Sequence, residues 1–189
     1  MNKNQTVFFI GKPGCGKGTQ AKILAEKTGW TVLASGEQFR SIAKEETPVG
    51  RKVRAEIDQG LLAPHWFAMY LYLKSLFSVE EESGVIFDGF NRKEEEAKLV
   101  IDSMAWLGRS FVAIQIAVSD DEIRRRLEGR KIALGRTDDS YVETRLEEYK
   151  TYTINALELF NSMGALVTID GEQSPEKVSE EIQEILKLN

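Results

Sequence analysis

The sequence predicts an α/β fold built on a five-stranded parallel sheet with helices on both faces. Three observations carry this. Five short apolar, β-branched runs alternate with longer helical patterns; the first run ends in a glycine-rich turn that opens directly into a helix; and Phe111 to Val118 is almost unbroken apolar sequence, as a strand buried on both faces requires.

Taken in order, Thr6 to Ile10 is a strand stopped by Gly11, and Lys17 to Lys27 is a helix ended by Gly29. Thr31 to Leu33 is the second strand. Glu37 to Glu46, Gly50 to Gln59 and Trp66 to Val79 read as helices, with Pro48, Gly60 and Pro64 as breaks. This block, residues 35–79, is too long for a plain crossover and predicts an inserted lobe. Val85 to Phe87 is the third strand and runs into Asp88-Gly89; the helix Lys93 to Leu107 stops at Gly108. After the strand Phe111 to Val118, Ser119-Asp120-Asp121-Glu122 suits the free N–H groups of a helix that reaches Arg130. Residues 131–139 read as a short polar loop. One long helix from Ser140 to Met163, the strand Leu166 to Ile169 and a last helix from Ser174-Pro175 to Leu188 complete the chain.

With 189 residues the chain is one domain, and its 30 acidic against 25 basic residues give a net charge of −5, which speaks against a nucleic-acid partner. One cysteine, Cys15, and one histidine, His65, leave no internal disulfide and no Cys/His zinc site. No run approaches the roughly 18 apolar residues of a membrane span, and the N-terminal apolar run is too short for a signal-peptide core. A cytoplasmic monomer without membrane contact is expected. Trp30, Trp66 and Trp106 are expected in core or lobe packing, and His65 on the surface or at a cap.

The first strand ends in Gly11-Lys12-Pro13-Gly14-Cys15-Gly16-Lys17-Gly18-Thr19-Gln20. Such glycines let backbone N–H groups turn inward as an anion nest at a helix N-terminus. Lys17 adds a point charge for β- and γ-phosphates, and Thr19 a hydroxyl near a phosphate-bound magnesium. This is a nucleotide phosphate site, so the partners are small-molecule nucleotides. Cys15 is either a redox-sensitive thiol beside Lys17 or a small spacer.

The loop resembles that of adenylate kinases and related nucleoside monophosphate kinases, which place glycine after the lysine. Ser35-Gly36-Glu37-Gln38-Phe39-Arg40 and Asp88-Gly89-Phe90-Asn91-Arg92 are similar to two further segments of that family. The resemblance implies a P-loop kinase core (1–34, 80–130, 140–189), a lobe for the acceptor monophosphate (35–79) and a short lid (131–139). It implies that ATP lies on Gly14, Cys15, Gly16, Lys17, Gly18 and Thr19. It implies too that Arg40 and Arg92 clamp the acceptor phosphate, whose oxygens suit guanidinium forks. Ser35, Gly36, Ala63 and Gly89 then line the acceptor site, and Asp88 orders magnesium through water, with Glu37 and Thr19 beside it. Arg126 and Arg130 match the family's Arg-x-x-Gly-Arg, near the donor adenine and on the transferring phosphates. Arg136 matches the arginine before its Asp pair, and Arg145 its last catalytic arginine; Arg124 and Arg125 are solvated. The lid is too short for the family's zinc-bearing form.

This chain departs from the pattern at four places. Asn91 replaces a proline, so the proline's geometry is lost or altered; Leu61 leaves no lysine near the acceptor phosphate. Arg145 sits two residues closer to the Asp pair, and two residues turn a helix by about 200°. Glu96 replaces a glutamine that reads adenine. An ionised carboxylate only accepts hydrogen bonds, a mismatch with adenine worth about 1–3 kcal/mol and a match to guanine's two donors. Alternatively, Glu94, Glu95 and Glu96 form a solvated first helical turn. The implied reaction is transfer of the γ-phosphoryl of ATP, carried with magnesium, to a nucleoside monophosphate, AMP first. The alternatives are a GMP or broad-specificity kinase, or a slow nucleotide-binding sensor of the same fold.

Overall fold

In the computed structural model, which describes residues 5–134 and 137–188, five strands form one parallel sheet. They are β1 (Thr6–Ile10), β2 (Thr31–Ala34), β3 (Val85–Asp88), β4 (Phe111–Ala117) and β5 (Leu166–Asp170), in the spatial order β2-β3-β1-β4-β5. The helices between them are α1 (Lys17–Thr28), α2 (Ser35–Ala43), α3 (Pro48–Ile57), α4 (His65–Leu76), α5 (Glu94–Leu107), α6 (Asp120–Leu134), α7 (Val142–Glu148), α8 (Ile154–Ser162) and α9 (Pro175–Ile185). A 3-10 turn, Thr137–Ser140, precedes α7, and a π-helical turn, Tyr149–Thr153, follows it.

Successive side chains of a strand face opposite ways, and the central strand shows the consequence. Val7 and Phe9 join an apolar cluster with Leu24 of α1, Ile123 and Leu127 of α6 and Ile182 of α9. Phe8 and Ile10 join the cluster on the other face with Tyr72 of α4, Val100 and Met104 of α5 and Phe160 of α8. All four strand residues are buried, and each contributes about 1.5–3 kcal/mol from burial. Phe9 pairs with Asp88 on β3 and with Ile114 on β4, so the loop after β1 and the end of β3 lie side by side at the carboxyl edge of the sheet. In open parallel sheets that edge is where ligands bind.

Gly29 and Gly108 end α1 and α5 in the left-handed conformation, as expected of these breaks. Pro48, expected as a break before a helix starting at Gly50, is itself the first residue of α3: Thr47 Oγ1 accepts from Gly50 N at 2.9 Å, and proline suits the first helical position. α6 runs to Leu134, past the expected end at Arg130, because Lys131-Ile132-Ala133-Leu134 contains no breaker. The long helix expected over 140–163 is divided, with Tyr141 out of helical geometry (φ −111°, ψ 49°) before α7 and the π-turn before α8. Trp30 packs against the core. Trp66 is 62% exposed yet stacks on Phe67 with ring centroids 5.5 Å apart, whereas Trp106 is 79% exposed, which corrects its expected packing.

Candidate active site

Gly16 precedes α1 with φ 109° and offers no side-chain cap, so the amides of the first turn have no side chain to fill them. That makes the turn an anion site. Lys17, the first residue of α1, donates from Nζ to Gly11 O and Lys12 O, both at 2.8 Å, and lies 3.5 Å from Cys15 Sγ. Burial lowers the lysine's pKa, while nearby Cys15 and Asp88 act the other way. Cys15 is 2% exposed and packs into the core, which makes it the small spacer of the two readings; it does not line the cavity.

A cavity of about 980 Å³ opens on this loop, lined by Gly14, Gly16, Lys17, Gly18 and Thr19. Its walls also include Ser35, Gly36, Glu37, Arg40, Ala63, Asp88, Gly89, Arg92, Glu96, Arg126, Arg130 and Arg145. Side chains far apart in the sequence thus meet around one space. Arg136 lies outside the described residues.

The glycine after Lys17 has a steric reason. A Cβ at Gly18 would stand 3.3 Å from Asp88 Oδ2, so its absence lets that carboxylate approach the first turn of α1. Asp88 ends β3, next to the loop, and Glu37 and Thr19 share the cavity. This is a set of oxygen donors suited to a hydrated magnesium ion.

Past Asp88 the chain turns sharply through Gly89 (φ 76°) and Asn91 (φ 63°). Proline cannot adopt a positive φ, whereas asparagine tolerates it. Asn91 therefore sets a turn that the family's proline could not form here. The turn folds Arg92 back so that Nε donates to Gly89 O at 2.7 Å, while Ser35 Oγ donates to the same carbonyl at 2.7 Å. Thr153 Oγ1, on the π-turn, donates to Arg92 O at 3.1 Å.

Glu96 is 6% exposed, so a solvated first turn is incorrect for it; Glu95 alone of the three acids is exposed. Its Oε2 accepts from Arg92 N at 2.8 Å, and the Arg92 and Lys93 amides both lower a pKa that burial raises. An acid three residues into a helix that reaches back to N–H groups preceding it is a capping interaction.

Arg130 and Arg145 meet on Asp139, whose side chain is fully buried. Arg130 Nε lies 2.6 Å from Asp139 Oδ2 and its Nη2 pairs with Oδ1, while Arg145 Nη1 is 2.9 Å from the same Oδ1. The two-residue deficit before Arg145 has no helical consequence, because the 3-10 turn and Tyr141 interrupt the helix between them. Arg126 is held by Glu122 Oε1 at 2.6 Å, by Gly171 O at 2.9 Å and by Cys15 O. Arg124 and Arg125 are exposed and paired with Glu143, Asp121 and Glu122, as expected of solvated residues.

Four contributors escape the sequence. Asp139 is legible there only as half of an acidic pair, although it organises two arginines. Glu148 Oε2 accepts from Leu62 N at 3.0 Å, tying the 60–64 segment to α7. Tyr149, with Thr153, lines the cavity from a π-turn that no local residue pattern announces.

A sequence model described as "Adenylate kinase" matches residues 9–165. Among curated proteins the chain is 33% identical to "Adenylate kinase" of Chlamydia felis, covering 96% of this chain and 97% of that one. It is 34% identical to "Adenylate kinase 1" of Nostoc sp. (95% and 97%) and 33% identical to "Adenylate kinase" of Thermus thermophilus, over all of both chains.

Proposed function

The chain belongs to the adenylate kinase family, and on that premise we propose that it transfers the γ-phosphoryl of ATP to AMP through the residues gathered around the large cavity. The observation that carries this reading is the ring of cations. Lys17, Arg40, Arg92, Arg126, Arg130 and Arg145 all line that cavity in a protein of net charge −5. Glu122 and Asp139 pair with Arg126, Arg130 and Arg145, and the six cations still concentrate positive charge on one space, as a site for polyanionic ligands requires.

Transfer breaks the bond between the γ-phosphorus and the β–γ bridging oxygen of ATP and forms one to a phosphate oxygen of AMP, yielding two ADP. The acceptor is already an oxyanion, so no general base is required; positioning and charge neutralisation do the work. Lys17 and the loop amides hold the β- and γ-phosphates. Arg40 and Arg92 hold the acceptor phosphate, with Arg92 kept in place by Gly89 O. Arg130 and Arg145 act on the transferring group, Arg136 is assigned the same role from its match to the family's pattern alone, and Arg126 borders the donor base. Magnesium would be held with ATP by Asp88 through water, with Glu37 and Thr19 beside it, and supplies further neutralisation of phosphate charge when bound. Segments 35–79 and 131–139 act as acceptor lobe and lid; closing them excludes water and suppresses hydrolysis of ATP. One free, buried cysteine fits a reducing compartment such as the cytoplasm, and among the described residues no helix is long and apolar enough to cross a membrane.

The test is ADP formation from ATP and magnesium with AMP, GMP, CMP, UMP or dAMP in turn. Preference for AMP is expected. A higher kcat/KM for GMP would overturn AMP as acceptor, and ATP binding without turnover on any of them would overturn the enzyme reading.

A further inference from the structure

Lys12 lies inside the phosphate loop, yet it is absent from the cavity wall. Its Nζ donates instead to Val118 O at 2.8 Å and sits 2.5 Å from Asp120 Oδ1. Asp120 Oδ2 is in turn 2.9 Å from Lys150 Nζ on the π-turn, and Lys12 Nζ lies 5.9 Å from the centroid of the Tyr149 ring. The Lys12 and Asp120 side chains are only 19% and 25% exposed. Water therefore competes less for this pair than for an ordinary surface ion pair.

The backbone of Lys12 does a second job. Its carbonyl is one of two that accept from Lys17 Nζ, at 2.8 Å. Residue 12 is thus held at its head by the start of α6 and presents its carbonyl to the ammonium that lies on the phosphate path. Pro13 follows with a fixed φ, which limits how far that carbonyl can turn by itself. Lys12 and then Lys150 hold the Asp120 carboxyl down at about 2, so the pairing is charged throughout the neutral range.

We propose that Asp120 is a positioning residue for phosphoryl transfer, acting through Lys12 on the ammonium of Lys17. Asp120 starts the helix that carries Arg126 and Arg130. The same contact therefore registers the phosphate loop against the helix bearing two cavity arginines. The inference rests on the loop's being the ATP phosphate site.

The test compares Asp120→Asn, Lys12→Met, the double variant, Asp120→Glu and Lys150→Met. ATP affinity is measured by calorimetry, KM and kcat for each substrate by ADP formation, and stability by urea unfolding. Asp120→Asn and Lys12→Met should each weaken ATP binding and raise the KM for ATP about tenfold, as expected for losing a charge-assisted contact. The KM for AMP should stay within about twofold. The double variant should be no worse than either single one, Asp120→Glu should recover most of the loss, and Lys150→Met should stay within about twofold of wild type. A fall in stability with unchanged ATP affinity, or additive losses in the double variant, would overturn the proposal. If Asp120→Asn does not fold, Lys12→Met breaks the same contact from the other side and decides the question alone. A wild-type protein that ignores AMP while Lys12→Met still weakens ATP binding would refute the acceptor assignment and leave this inference standing.

Discussion

The carboxylate of Glu96 accepts the backbone N–H of Arg92 at 2.8 Å, so the acid at the position of the family's glutamine is committed to the turn that presents Arg92 to the cavity. Removing this acid touches both the start of α5 and the placement of Arg92, and its effect on the base is read against those two.

For Glu96→Gln, the amide oxygen can still accept from Arg92 N. AMP is expected to remain the preferred acceptor in wild type and variant, with kcat/KM for AMP within about fivefold and stability lower by about 1 kcal/mol. The acceptor panel and urea unfolding check this. A wild type that prefers GMP, reversed by the substitution, would give Glu96 a direct role in reading the base.

Arg92→Ala should lower kcat with AMP by at least about two decades while ATP affinity by calorimetry stays within about threefold, because its guanidinium is assigned to the acceptor side alone. Near-normal turnover would remove Arg92 from the clamp.

Asp139→Asn leaves Arg130 and Arg145 facing a neutral group in a site whose carboxylate is fully buried. Breaking a buried pair in this way should cost about 3 kcal/mol in urea unfolding and reduce kcat about tenfold through the two displaced arginines. Unchanged stability would show that the arginines do not depend on Asp139 in solution.

Gly18→Ala adds a Cβ 3.3 Å from Asp88 Oδ2. The carboxylate must retreat, so a turnover loss of about tenfold with a raised magnesium requirement is expected in a metal titration. An unaltered magnesium dependence would detach Asp88 from the metal.

Asp120 also carries a pH signature. Its folded-state pKa, held down at about 2, lies below the ordinary value of 3.8. The charged pair therefore stabilises the fold above the ordinary value, and that contribution is lost as pH falls toward 2. Urea unfolding should show Asp120→Asn less stable than wild type by about 1–2 kcal/mol at pH 7 once screening by water is allowed for, the difference shrinking steadily below pH 4. A gap independent of pH would mean the carboxylate is not preferentially charged in the fold.

Most of the fold is legible in the sequence because its signals are local. The alternating apolar runs, the glycine stops and the loop Gly11–Thr19 depend on near neighbours, and the strands and helix ends follow them closely. What stays hidden depends on distant partners. Glu94, Glu95 and Glu96 look alike in the chain, and only packing against α4 and the Asn91 turn separates the buried one from its neighbours. A phase count misplaces Arg145 because it presumes an unbroken helix. Nothing near Lys12 in the chain shows that its head lies at Asp120.

The π-helical turn at Tyr149–Thr153 works as a slip joint. It inserts one residue of phase, about 100° of rotation, between α7, which carries Arg145 and Glu148, and α8, whose Ala156, Leu157 and Phe160 are locked into the core. The cavity face upstream and the packing face downstream can thus be tuned separately, and changes of length before α7 need not propagate into the core. Deleting one residue from the turn would weld the two helices into a single shaft and swing Arg145 and Glu148 relative to the cavity they line.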